Sequence, residues 1–196
     1  QEIPMQILKS KFGGNSDVML NNSIENLEYE ISTVLRKLSR EKSTSIAFLR
    51  GQSELPTKKI SDAANGLSDF YIVDTVNING RLNALKDYKL LIIAKPDSAF
   101  DEKDKFVIDQ FIMKGGRVLW LIDKLAMNMD SLEKRSTNVA IPLELNIDDM
   151  LFRYGVRINS DFVLDMQAAP IPVVTGYVGN QPKQEIFPWY YYPLLS

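Results

Sequence analysis

Four short apolar runs constrain this chain more than any other feature: SIAFL (Ser45–Leu49), FYIVDTV (Phe70–Val76), LLIIA (Leu90–Ala94) and VLWLI (Val118–Ile122). Each has the length of a strand, and β-branched and aromatic side chains fill much of them, which favours strand over helix. They are continuous rather than alternating, so both faces must be covered, as in a parallel sheet. Helical spacing lies between them. Ile60, Ala63, Ala64 and Leu67 recur along Thr57–Leu67. A second helix starts from an Asp101 cap, sets Phe106, Val107, Phe111 and Ile112 on its inner face, leaves Lys105 exposed, and ends at Gly115-Gly116. Strand and helix alternating at short range predict an α/β fold: a mainly parallel sheet with helices on both faces.

The flanking segments are less uniform. Met5–Lys9 reads as a short strand followed by a turn at Gly13-Gly14. The clearest helix comes next, with Ile24, Leu27, Ile31, Val34, Leu35 and Leu38 on one face. Asn22 and Glu25 resemble a capping box. Acids early (Glu25, Glu28, Glu30) and bases late (Arg36, Lys37, Arg40) complement the helix dipole. Leu125–Leu145 reads as a long polar excursion, and Ile147–Tyr154 as a short helix stopped by Gly155. Phe162–Leu164 reads as a further strand, and the tail after Pro170 as loop or edge structure. Residues 1–196 are read as one α/β domain, with 125–196 as a candidate peripheral extension. The opening on Gln1 and the stop after PWYYYPLLS suggest an excised piece of a longer protein.

Composition removes several function classes. Net charge is −2, so no basic footprint points to nucleic acid. The apolar runs are far shorter than the ~20 residues of a membrane helix. There is no Cys and no His. That removes Cys/His zinc sites, thiol nucleophiles and any Ser-His-Asp triad within the chain. Carboxylate, Lys or Tyr chemistry stays open. TVNING (Thr75–Gly80) imitates half of a calcium loop, but Thr75 and Lys86 stand where carboxylates are needed. The acids Asp101, Glu102 and Asp104, and the pair Asp148-Asp149, fit helix N-termini better than a metal site. No catalytic residue, metal or cofactor is expected.

Where the strand order of an open α/β sheet reverses, the loops beyond the carboxyl ends of the strands part and leave a crevice. If SIAFL is the first strand of a flavodoxin-like order, the crevice lies between it and LLIIA. The loops at its border are Arg50-Gly51-Gln52-Ser53-Glu54 and Lys95-Pro96-Asp97-Ser98. Arg50, Gln52, Glu54, Lys95 and Ser98 are therefore candidate binding residues, with Arg50, Glu54 and Lys95 as convergent charges. The alternative is a set of solvated turn residues. FPWYYYPLL adds Trp189 and Tyr190 as candidate stacking residues for a sugar or a partner surface. The alternative there is rings packed on the domain itself.

Three blocks taken together resemble a known family: NNSIENLEYEI followed by IAFLRGQSEL; YKLLIIAKPDSAFDEKDKFVIDQFIMKGGRVLWLID; and LNIDDMLFRYGVRINSDFVLDMQAAPIPVVTGYVGNQPKQEIFPWYYYPL. They are similar to the GldG family, gliding-motility-associated accessory proteins of an ABC transporter, from about Asn22 to Leu195. The resemblance implies a Rossmann-like domain similar to class I glutamine amidotransferase-like domains. It also implies a non-enzymatic region facing the periplasm, anchored in the inner membrane by segments outside this chain. Its partners would be the transporter's ATPase and permease subunits, similar to GldA and GldF, and it would act by protein contact or ligand capture. Family members often read G-H-G-E-L where this chain has Gly51-Gln52-Ser53-Glu54-Leu55. A chemical role for that His would therefore be lost here. The rival readings are an amidotransferase-like hydrolase, degenerate or active, and a glycan-binding domain built on the tail aromatics.

Overall fold

The structure is a computed structural model that describes residue 21 and residues 24–39, 43–127, 139–179 and 181–194. The expected strand Met5–Lys9, the Gly13-Gly14 turn, the Asn22 cap and Arg40 lie outside the described residues. In chain order the elements are α1 (Leu27–Ser39), β1 (Ser45–Arg50), α2 (Thr57–Ser68), β2 (Ile72–Asn77), β3 (Leu90–Ala94), α3 (Glu102–Met113), β4 (Arg117–Leu121), β5 (Leu125–Ala126), β6 (Ile141–Pro142), α4 (Asp148–Arg153), β7 (Ala168–Val178) and β8 (Gln181–Pro193). Two compact units divide the chain: residues 1–123 with 145–150, and residues 124–144 with 151–196.

The first unit is built on a four-stranded parallel sheet of order β2-β1-β3-β4. This is the flavodoxin-like order, with its reversal between β1 and β3. The two central strands are the continuous apolar runs: Ile46–Leu49 and Leu91–Ala94 are all buried. Residues two apart share a face, so Ile46, Phe48, Ile92 and Ala94 pack with Ile60 of α2, joined by Leu55, Ala64 and Leu67. Ala47, Leu49, Leu91 and Ile93 point the other way, toward the side that right-handed crossovers give to α3. There α3 buries Val107, Ile108 and Phe111.

The ends of elements differ from the sequence reading in small, explicable ways. FYIVDTV becomes a strand only from Ile72, because the N–H groups of Phe70 and Tyr71 both donate to the Leu67 carbonyl and close α2. VLWLI shifts back one residue, to Arg117–Leu121, to stay in register with Leu90–Ala94. Asp101 caps α3 as expected, accepting from the Asp104 N–H at 2.6 Å. The inner face of α3 is rotated from the expected one. Phe106 is 53% exposed, whereas Lys105 is 6% exposed and buried beside Val107 and Ile108. The reason is a partner that hydropathy cannot show: the Lys105 ammonium bonds Asp149 at 2.8 Å and Glu102 at 3.0 Å. Helix α1 forms and is amphipathic, but none of its residues is buried, and Ile31, Leu35 and Leu38 stay exposed.

In the second unit, the polar excursion contains the short antiparallel pair β5–β6. Phe162–Leu164 is not a strand. The tail is an antiparallel hairpin of 11 and 13 residues, β7 and β8, rather than loop. Its prolines disguised it. Pro170 faces Pro188 across the ladder, and Pro170 and Pro172 share one parity on β7. Prolines are tolerated in a strand when the missing N–H belongs to the edge that faces away from the partner. Such edges also resist strand addition.

Candidate functional site

At the switch point the chain leaves β1 through Arg50 and Gly51. Gly51 has φ 132°, and a Cβ there would stand 3.2 Å from Asn77 Oδ1 at the end of β2, so a side chain would be strained in its backbone and crowded against Asn77. Ser53 and Lys95 also adopt positive φ, 55° and 51°, one in each loop bordering the crevice. The Leu55 N–H donates to the Ala94 carbonyl, while the N–H groups of Asp97 and Ser98 both donate to the Gln52 carbonyl at 2.9 and 3.0 Å. The hydroxyls of Ser53 and Ser98 meet at 2.8 Å. The two loops are thus stitched together by main-chain bonds rather than held apart as a cleft.

The side chains follow the same pattern. Glu54 turns inward and is 9% exposed. Its Oε2 accepts the N–H groups of Gly51 at 3.0 Å and Gln52 at 3.1 Å. Burial pushes the Glu54 carboxyl above its ordinary range, against the lowering effect of those backbone bonds and of Arg50. Arg50 does not hold Glu54 in an ion pair; its guanidinium donates to the Leu55 carbonyl and to Thr57 Oγ1. Lys95 pairs with Asp123 at 3.2 Å. The expected convergence of Arg50, Glu54 and Lys95 across an open crevice is therefore not what the geometry provides. Each cation bonds within its own neighbourhood, and the acid is buried.

Gln52, also buried, reaches further. Its Nε2 donates to Asp104 Oδ2 at 3.0 Å, and Asp104 Oδ1 accepts the Gly80 N–H at 2.8 Å. One carboxylate in the first turn of α3 thereby ties the loop after β1 to the loop after β2. Sequence reasoning missed this role because Asp104 reads as an ordinary helix-start acid; only the tertiary fold places it below Gln52. Two buried acceptors remain unsatisfied, Gln52 Oε1 and Glu54 Oε1. In chemical terms the site has buried acceptors, a buried acid and the paired hydroxyls of Ser53 and Ser98. Its residues brace loops.

The tail aromatics form a separate group. Trp189 is half-buried, with its ring centroid 5.6 Å from that of Tyr191, which also meets Phe162 edge-on at 5.3 Å. Tyr190 is exposed, and its carbonyl accepts the Asp165 N–H. Trp189 therefore packs within its own hairpin and loop, while Tyr190 remains open to solvent.

Among the described residues, no helix is long and apolar enough to cross a membrane. No curated protein matches the chain. A solved structure, described as mmIFT52 N-terminal domain, superposes with a TM-score of 0.49 at 18% identity over 74% of this chain. The chain spans 65% of the length of that domain. The family profile described as ABC-type uncharacterized transport system matches residues 43–196, well over half of the chain and including the whole parallel sheet. The chain therefore belongs to that family, as an auxiliary protein of an ABC transporter.

Proposed function

We propose that this chain is the non-enzymatic, extracytoplasmic accessory module of a GldG-like ABC system linked to gliding motility, working by protein contact or ligand capture. In this reading it faces the periplasm, is held at the inner membrane by segments outside the chain, and engages the permease and ATPase subunits of its own transporter. The observation that carries the reading is the family match over residues 43–196. The switch-point loops support the non-enzymatic part: Arg50 bonds Leu55 and Thr57, Gln52 bonds Asp104, Glu54 accepts the N–H groups of Gly51 and Gln52, and Lys95 pairs with Asp123, so each side chain is engaged in bracing the loops. With no Cys or His in the sequence, no side chain there can serve as an activated thiol or an imidazole base.

The test is recovery of the full-length protein from membranes, with and without this region. Co-purification of the permease and ATPase with the intact protein, and their loss on deletion, is the expected result. Equal recovery of both subunits without the region would refute contact through it. A hydrolase or amidotransferase turnover assay on the isolated chain tests the rival. Activity that survives repurification and vanishes in Glu54→Ala would replace the accessory reading with an enzymatic one.

A further inference from the structure

The cations at the carboxyl end of the sheet are engaged, but at the opposite end three are not. A cavity of about 160 Å³ opens where the chain enters β3 and β4. Its floor is apolar and deeply buried: Leu85, Val107 and Phe111. Its mouth carries Lys86 and Lys89 from the connection between β2 and β3, and Lys114 from the C-terminus of α3. Among the described residues none of these three ammonium groups has a hydrogen-bond or ion-pair partner, in contrast to those of Lys37, Lys95 and Lys105. The nearby acid Asp74 is occupied by the Tyr88 hydroxyl at 2.8 Å. The last carbonyls of α3 are also taken: those of Gln110, Phe111 and Ile112 accept the N–H groups of Lys114, Gly116 and Gly115. They therefore do not draw the lysines in.

An apolar floor with a few convergent charges at the mouth is the usual make-up of a small-ligand site. The volume sets the scale, because an apolar cavity of about 150 Å³ holds one benzene. Gly116 keeps that space open. A Cβ at Gly116 would stand 2.4 Å from Phe111 Cζ, so the ring sits where only a bare backbone leaves it room.

We propose that this cavity binds a small organic carboxylate: a single aromatic ring or a short acyl body seated on Leu85, Val107 and Phe111, with its carboxylate among Lys86, Lys89 and Lys114. The ring replaces water over the apolar floor, and the carboxylate supplies a counter-charge that these three ammonium groups do not find among the described residues. The site is independent of the switch-point loops and of the transporter role, so binding by the isolated chain reads it whatever the outcome of the membrane experiment.

The experiment is a titration of the ¹⁵N-labelled full chain with benzoate, benzyl alcohol and benzylamine at constant ionic strength, followed through the backbone amides. Benzoate is expected to give saturable shifts centred on residues 85–89 and 114–116. Benzyl alcohol should bind about tenfold more weakly, having lost the charge contacts, and benzylamine more weakly still. The triple substitution Lys86→Ala, Lys89→Ala, Lys114→Ala, all at exposed side chains, should lower benzoate affinity about tenfold with unchanged thermal stability. A control substitution of another exposed lysine, Lys58→Ala, should leave binding unchanged. Shifts scattered over the whole surface, equal binding of all three ligands, or full benzoate affinity in the triple variant would each overturn the proposal.

Discussion

Glu54 shows how a residue in a candidate recognition loop becomes part of its scaffold. Its Oε2 is bonded by two backbone N–H groups, and its Oε1 is buried without a partner. Glu54→Ala removes the acceptor for one buried and one part-buried donor and should cost roughly 1–3 kcal/mol. Glu54→Gln keeps a carbonyl for those donors and carries no charge to desolvate. It should match or exceed the wild type in thermal stability at pH 7. The pH dependence follows from the sign of the shift. The folded-state pKa is raised above the ordinary 4.5, so the contribution of Glu54 to stability is present below the unfolded pKa and is lost as pH rises through the folded one. Glu102 acts in the opposite sense. Hydrogen bonds from Asn146 and Lys105 lower its pKa, so its contribution is present above the ordinary carboxylate range and is lost as pH falls through the depressed value. The difference between the wild-type and Glu54→Gln melting curves therefore isolates Glu54. That difference should grow in favour of Gln as pH rises above about 4.5. A difference that stays flat with pH would show that burial does not disfavour the carboxylate.

At the scale of an element, α3 cross-links the first unit through its N-terminal turn. Its N-terminal turn holds Asp104, which binds Gln52 and Gly80, and Lys105, which binds Glu102 and Asp149. Burial pulls the Lys105 pKa down, but the bonds from Asp149 and Glu102 together outweigh it, and the net direction is up. The ammonium therefore stays charged, and its contribution is lost only as pH rises through a pKa above the ordinary lysine range. Lys105→Ala leaves two carboxylates that water can reach, so its cost should be about 1–2 kcal/mol rather than that of a stranded buried charge. Phe111→Ala removes a buried ring and should cost roughly 3–5 kcal/mol. Phe106→Ala, at an exposed site on the same helix, should stay within about 0.5 kcal/mol of wild type. Urea unfolding of the three variants checks the ranking. Equal losses at Phe106 and Phe111 would mean that the helix face is misassigned. Gly116→Ala forces the Phe111 ring to move and should cost about 1–3 kcal/mol by overpacking.

For the whole molecule, burial along the described residues is unbroken in the central strands of the parallel sheet. Every residue from Ile46 to Leu49 and from Leu91 to Ala94 is buried, while most residues of β7 and β8 are exposed. Local opening is cheapest where few apolar side chains are packed and backbone bonds face water. A two-stranded hairpin by itself is marginal in water. Native-state hydrogen exchange should therefore find the slowest amides in β1 and β3, with β7 and β8 exchanging much faster. Equal protection of the hairpin and the central strands would show that the hairpin is covered to a degree its exposure does not suggest.

The local chemistry of the sequence already determined the strands SIAFL and LLIIA, the helix Thr57–Leu67, the Asp101 cap and the parallel sheet, while the switch point between β1 and β3 followed only on the supposition of a flavodoxin-like strand order, which the structure has. Each rests on contacts between near neighbours or on an apolar run that has only one way to be buried. The hairpin was hidden because proline counts against a strand until the pairing shows which edge its missing N–H faces. The burial of Lys105 was hidden because hydropathy reads an ammonium as solvent-facing unless the carboxylates that neutralise it are already in place. The candidate residues of the two loops bond mostly to near neighbours, but two contacts, Ser53 with Ser98 and Gln52 with Asp104, join positions 45 and 52 apart in the chain, which no local pattern foretells. The side-chain cavity of Leu85, Val107 and Phe111 under three lysines depends on the same kind of long-range packing. No spacing rule foretells it, since only the folded sheet brings the connection before β3 against the last turn of α3.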